Sequence, residues 1–258
     1  MQLFDQHGQP VHLQQFNQQQ PANHQEQHGD KQEQHQQEPH KQGDEQPDDK
    51  TDHTSDASQQ RTAIHAAISG PGVMLHNRSS KPETYFFFDN YWNGNGTAGA
   101  NFDHPMKSVH LAPRMCKFVS LPESFKGRVQ RGNIQPATWV EFQVKASNDG
   151  AAHGDISLEQ GCDGAATISS TDGTNRSNGF TQDIIKNAPP AAVVERTEHN
   201  GSKTKCIAST MGNWSAGPNH AAAEYEKRVV GQKKAYIAGG TGTDDVASHN
   251  MCLRVDFY

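Results

Sequence analysis

The chain has 258 residues, with 23 Lys and Arg against 29 Asp and Glu, 15 His and a formal net charge of −6. That balance excludes the concentrated basic face expected of a nucleic-acid binder, and no apolar run is long enough to cross a bilayer as a helix. The charge divides sharply: residues 1–60 hold 18 Gln, 7 His, 11 acidic and 3 basic residues, a net −8, while the remainder holds 18 acidic and 20 basic residues, a net +2.

The chain therefore reads as a Gln/His-rich acidic tail over 1–60 and a nearly neutral body over 61–258. The tail's few apolar residues sit at its start, and "QQQPANHQEQHGDKQEQHQQEPHKQGDEQPDDK" buries too little apolar surface to offset the entropy of ordering. It is expected to be disordered, with weak self-association through its side-chain amides. Its histidines follow no fixed ligand spacing. "MQLFDQHGQPVHLQQF" has neither a basic n-region nor a continuous apolar run, so it does not read as a signal peptide. Intracellular retention, including in a vacuole, is the expected location; a cell-wall or extracellular location requires a signal sequence outside this chain.

From Arg61 onward the pattern is short β segments punctuated by Gly, Asn and Pro. In order they are "AIHAAI" (63–68), "GVMLHN" (72–77), the aromatic "TYFFFDNYW" (84–92), "KSVHLA" (107–112) and "MCKFVSL" (115–121). Next come "TWVEFQVKA" (138–146) and "GDISLEQ" (154–160). The first sets Trp139, Glu141, Gln143 and Lys145 on one face and Val140, Phe142 and Val144 on the other. "AATISS", "KCIAST", "KKAYIAG" and "MCLRVDFY" complete the set. Period-2 runs rich in β-branched and aromatic residues read as strands, and many such runs without alternating helices imply an all-β sandwich. One or two short helices are expected: "FTQDIIKNA" (180–188), opened by Thr181 and stopped before Pro189, and "NHAAAEYEKRVV" (219–230), for which a strand is the competing reading.

Signatures of common catalytic and metal sites are absent from the sequence: there is no P-loop, H-E-x-x-H, EF-hand or G-x-S-x-G pattern. No body histidine pairs with a cysteine or carboxylate at zinc spacing, so neither metal nor cofactor is expected. "GGTGTDD" (239–245) reads as a long hairpin loop, and "FFFDNYW" as one buried face with edge aromatics rather than a sugar-stacking platform. Sequons stand at Asn77, Asn95, Asn175, Asn200 and Asn213, a pattern that also arises by chance in Asn- and Ser-rich loops.

Two groups of residues carry candidate chemistry. The four cysteines are Cys116, Cys162, Cys206 and Cys252, which allow three pairings. Cys116 and Cys252 lie in apolar strands and are expected to form an internal staple if they are neighbours. Cys162, in "EQGCDG", reads as an exposed turn thiol able to cross-link chains. The second group is Glu141, Asp155 and Glu159, carboxylates close together along the chain. Glu141 and Asp155 suit either an acid cleft or the solvent-facing side of two paired strands. Alternation points Glu159 to the opposite face from Gln160, one place later.

The pair "WVEFQV" and "GDISLEQG" resembles the central strands of the thaumatin-like (osmotin) family, which carry a run like A-E-F-T-L followed by Y-D-I-S-L-V-D-G. The resemblance implies an antiparallel β-sandwich with an acidic cleft that binds or hydrolyses β-1,3-glucan. It makes Glu141 and Asp155 the first two cleft acids and sets Gln160 at the third, with no arginine assigned. Four cysteines depart from the family's cysteine-rich norm. With its third acid replaced, the cleft is expected to be non-catalytic. The profile also resembles octin-type matrix proteins of fungal vacuolar crystals. That implies a non-enzymatic, disulfide-linked, self-assembling building block. Two functions are thus expected: self-assembly into higher-order material, or β-glucan binding or hydrolysis at the cell wall.

Overall fold

The computed structural model describes residues 3–4, 10–11, 70–89, 104–212, 217–239 and 245–258. The tail expected over 1–60 therefore lies outside the described residues apart from β1 (Leu3–Phe4) and β2 (Pro10–Val11), which pair antiparallel. The segment "AIHAAI" (63–68) lies outside them entirely.

The body is mostly β-structure. It comprises β3 (Gly72–Asn77), β4 (Glu83–Asp89), β5 (Lys107–Leu111), β6 (Cys116–Ser120), β7 (Lys126–Arg131), β8 (Trp139–Gln143) and β9 (Ala152–Ser157). There follow β10 (Ala166–Ser170), β11 (Ser177–Gly179), β12 (Val193–Thr197), β13 (Lys203–Ile207), helix α1 (His220–Val229), β14 (Val246–Ser248) and β15 (Cys252–Phe257). One sheet has five strands in the order β11-β10-β15-β3-β6, and the other has six in the order β14-β9-β8-β7-β4-β5. β12 and β13 form a separate hairpin.

The core follows from alternation along each strand. Val73 and Leu75 on β3, Ile168 on β10, and Leu253, Val255 and Phe257 on β15 face inward from the five-stranded sheet. Tyr85 and Phe87 on β4, Val129 on β7, Val140 and Phe142 on β8, and Ile156 on β9 meet them from the six-stranded sheet. The Tyr85 and Phe257 rings lie 4.9 Å apart across this interface, and Phe125 stacks on Phe142 at 4.8 Å. Each such buried side chain contributes roughly 1.5–3 kcal/mol through loss of apolar surface to water. The alternate residues of the same strands lie on the outer faces of the two sheets.

Three expectations need correction. The sandwich is not antiparallel throughout: β15 lies parallel to β3, with Leu253 opposite Val73 and Val255 opposite Leu75. Parallel neighbours need a long connection, and nearly the whole body separates these two strands in sequence. The segment 180–188 is not a helix. The Asp183 carboxylate accepts hydrogen bonds from the backbone N–H of Ile185 (3.0 Å) and Lys186 (3.2 Å), an Asx turn that competes with helical bonding. The single α-helix among the described residues is α1, capped by Asn219, whose side chain accepts from Ala222 N–H at 2.8 Å. Finally, "KKAYIAG" is a turn with only Tyr236 bridging to Ser157, not a strand. No helix among the described residues is long and apolar enough to cross a membrane.

Candidate functional site

The outer face of the six-stranded sheet carries a row of polar side chains. Phe88 on β4 stands opposite Arg128 on β7, Arg128 opposite Glu141 on β8, and Glu141 opposite Asp155 on β9. Register partners on neighbouring strands share a face with Cβ atoms about 4.5–5.5 Å apart. The Arg128 guanidinium sits 3.9 Å from the centroids of both Phe88 and Trp139, held between two aromatic faces, and its Nε donates to Gln130 Oε1 at 2.9 Å. Beside it, Gly127 lets β7 approach β4: a Cβ there would collide with the Phe88 carbonyl. The solvent-facing reading of Glu141 and Asp155 is incorrect, since their exposures are 1% and 0%, with Arg128 at 1%.

Glu159 lies within electrostatic reach of this row, since the charge of Glu141 acts on its carboxyl. β9 ends at Ser157, and a turn closed by Gly161 N–H to Leu158 O (3.0 Å) carries the next residues, so strand alternation does not extend to position 159. Gly161 adopts φ +107, which a side chain would resist. The Glu159 backbone carbonyl accepts the Ser209 hydroxyl at 2.7 Å, and its Oε1 accepts Gly239 N–H at 2.8 Å. Burial, then the nearby charge of Glu141, pushes the Glu159 carboxyl up to about 7. Burial followed by the Glu141 charge likewise raises Asp155 far above the ordinary carboxylate range. Three carboxyls thus share one field, and the third is Glu159 rather than a group at Gln160, which is itself buried.

The cluster has a cationic border. His153 lies two residues before Asp155 and so on the same face. Its Nδ1 contacts Asp245 and its Nε2 lies 2.9 Å from Asp149 Oδ2. The hydrogen bond to Asp245 is the main reason its pKa rises to about 9, so the ring is protonated at neutral pH. Sequence reasoning missed Arg128 as the arginine of the site. Its signal was faint: "KGRVQR" alternates Arg128 and Gln130 with Gly127 and Val129, but has too few apolar residues to be recognised as a strand. Among the described residues no group of three or more His, Cys, Asp or Glu is placed to hold a metal.

Chemically, the row has the parts of general acid–base catalysis. One carboxyl with a raised pKa can donate a proton, and a second carboxylate beside it can act opposite it. Glu141 and Asp155, in direct register, have that relation.

The cysteines are arranged differently from expectation. All four are free thiols, and Cys116 is the exposed one. Cys162 is fully buried because its residue is a bridge point: Cys162 N–H donates to Ile207 O (3.1 Å) and Ile207 N–H to Cys162 O (2.8 Å). The adjacent Asp163 fixes the turn by accepting from Thr138 N–H (3.1 Å) and Arg196 Nη1 (3.1 Å). Burial raises the Cys162 thiol far above its ordinary value and pushes Cys206 up to about 12. Cys206 neighbours Ile207 on β13, so its side chain points away from the one opposite Cys162. Cys116 and Cys252 are not partners either: Cys116 aligns with His76 and Cys252 with Gly72, four residues apart along the intervening β3. That separation is about 13 Å along the strand alone, beyond disulfide reach.

No family model and no curated protein sequence matches the chain. A solved structure similar in part is the protein elicitor MoHrip2 from Magnaporthe oryzae, with 13% identity, a TM-score of 0.33, and coverage of 44% of this chain and 79% of that one. A likeness of that size carries no argument about function.

Proposed function

We propose that the protein is a carbohydrate-directed β-sandwich of the thaumatin-like kind, with the Glu141, Asp155 and Glu159 row as its glycan site and β-1,3-glucan as its ligand class. The observation that supports this most is that Glu159 restores a third carboxyl to a row already holding Glu141 and Asp155 in register. In this reading Asp155 is the proton donor, Glu141 the opposing carboxylate, and Arg128 the positioning cation. Because the row is buried, glycan binding there requires these carboxyls to become accessible. The test is sedimentation of the full chain with insoluble β-1,3-glucan, together with reducing-sugar release at pH 5–7. Binding that is lost in Glu141→Gln and Asp155→Asn supports the site, and sugar release lost in the same variants extends it to catalysis. Absence of both binding and release rejects the reading.

A second reading, self-assembly through a thiol cross-link, is favoured by one observation: the exposed Cys116 lies on β6, the edge strand of the five-stranded sheet. An unpaired edge is a template for a second chain, and a thiol on it can lock the contact. This replaces Cys162 as the cross-linking residue.

A further inference from the structure

We infer that the outer face of the five-stranded sheet is a second binding site, built for an oxyanion of the phosphate or sulfate class. It lies on the opposite side of the sandwich from the carboxylate row and does not depend on the glycan reading.

A groove of about 490 Å³ opens there, lined among others by Arg78, Ser169, Ser177, Lys234, Arg254 and Asp256. The register builds it: Ser177 on β11 stands opposite Ser169 on β10, and Ser169 opposite Arg254 on β15. In the next outward row Thr167 stands opposite Asp256. The floor is therefore a ladder of hydroxyls leading to guanidinium groups.

Asp256 orients those cations and does not compete for them as a free anion. It is 4% exposed, and its oxygens accept from Arg78 Nε (2.6 Å), Arg254 Nε (2.8 Å) and Arg254 Nη2 (3.0 Å). Both guanidiniums are fixed by these bonds yet partly exposed, with side-chain exposures of 34% for Arg78 and 41% for Arg254. The two terminal nitrogens of Arg78 and Nη1 of Arg254 have no hydrogen-bond partner among the described residues, and both residues line the groove. Lys234, exposed and without an ion-pair partner among the described residues, adds a further cation. Rigid guanidinium forks beside an ammonium group and hydroxyl donors match the tetrahedral oxygens of phosphate or sulfate. The same groups suit a free ion or an ester carried on a sugar, since both present those oxygens.

The test is calorimetric titration of the full chain with inorganic phosphate, with sulfate and with a sugar phosphate, each at constant ionic strength against a chloride control. Saturable binding of at least one of them, weakened at least tenfold in Arg78→Gln and in Lys234→Gln, is the expected result. Tighter binding of the sugar phosphate than of inorganic phosphate assigns an ester as the ligand; equal affinities assign the free ion. Lys234→Gln guards against misfolding, because Lys234 is exposed and holds no ion pair among the described residues. Titrations indistinguishable from chloride, or affinity unchanged in a Lys234→Gln protein with wild-type circular dichroism, overturn the assignment.

Discussion

At the scale of single residues, burial governs the charges of the carboxylate row, and the consequences can be read against pH. Glu159 has a folded-state pKa raised to about 7 from an ordinary value near 4, so the folded state holds its proton more tightly. Its contribution to stability is fully present below about pH 4 and is lost as the pH rises through about 7. Asp155 acts in the same direction. His153, raised to about 9, contributes stability that is lost between about 6.5 and 9. The melting temperature is therefore expected to fall steadily from pH 5 to pH 9. In Glu159→Gln, which keeps an acceptor for Gly239 N–H, the fall between pH 5 and 7 should be shallower; a thermal melt series shows it, and an unchanged slope counts against the assignment. Glu141 and Asp155 were legible as a pair because the period-2 pattern fixes their faces. Glu159 was not, because alternation says nothing once a strand ends in a turn. Nor does sequence show that the Asn77 sequon is closed: Asn77 is 0% exposed, and its Nδ2 donates to the carbonyls of Lys81, Leu111 and Ala112.

Among the elements, α1 shows how local chemistry and tertiary packing divide the decision. Its alanine run and Asn219 cap favour a helix over a strand, and Asn219→Ala is expected to cost about 1 kcal/mol in chemical denaturation. The segment 180–188 had a comparable pattern, but Asp183 bonds the backbone ahead of it, and Pro189 and Pro190 close the segment. The two are nonetheless joined, as the Tyr225 hydroxyl donates to the Ile184 carbonyl at 2.8 Å. Helix α1 also carries an internal liability. Glu226 is 0% exposed, neither carboxyl oxygen has a partner among the described residues, and burial raises its pKa well above the ordinary value. Its contribution to stability is present at acid pH and lost as the pH rises through that raised value. Glu226→Met is expected to stabilise the fold, by about 1–3 kcal/mol where the buried carboxyl carries an unsatisfied cost, and by more at pH 8 than at pH 5. Equal effects at both pH values would mean that Glu226 finds a partner. Strands β3, β5, β6, β8, β10 and β15 were legible because their apolar residues alternate. Strands β7, β11, β12 and β14 were not: β11 and β14 span only three residues each, and β7 and β12 keep polar residues where the pattern needs apolar ones.

For the whole molecule, the question is which surfaces can join one chain to another. The two sheets end in edge strands on the same side, β5 and β6, tied by Lys107 Nζ donating to the Ser120 carbonyl at 2.9 Å. Cys116 begins β6 on that side, next to Met115, a large apolar side chain that is 55% exposed. An exposed thiol beside an exposed methionine at the outer edge of β6, which has no strand partner on that side among the described residues, suits an intermolecular contact, because pairing along the edge covers the methionine and brings two thiols together. Cys162, Cys206 and Cys252 are all buried, so none reaches another chain without local opening. Cys116→Ser is therefore expected to abolish reducible high-molecular-weight species on a non-reducing gel and leave the melting temperature within about 1 °C, as exposed substitutions usually do. Cys162→Ser should behave oppositely, leaving cross-linking intact while lowering stability, because a hydroxyl replaces a thiol that is fully buried at the bridge to Ile207. If cross-linked species persist in Cys116→Ser and vanish in Cys162→Ser, the covalent contact runs through an opened turn at 161–164, and the edge of β6 is not the assembly surface.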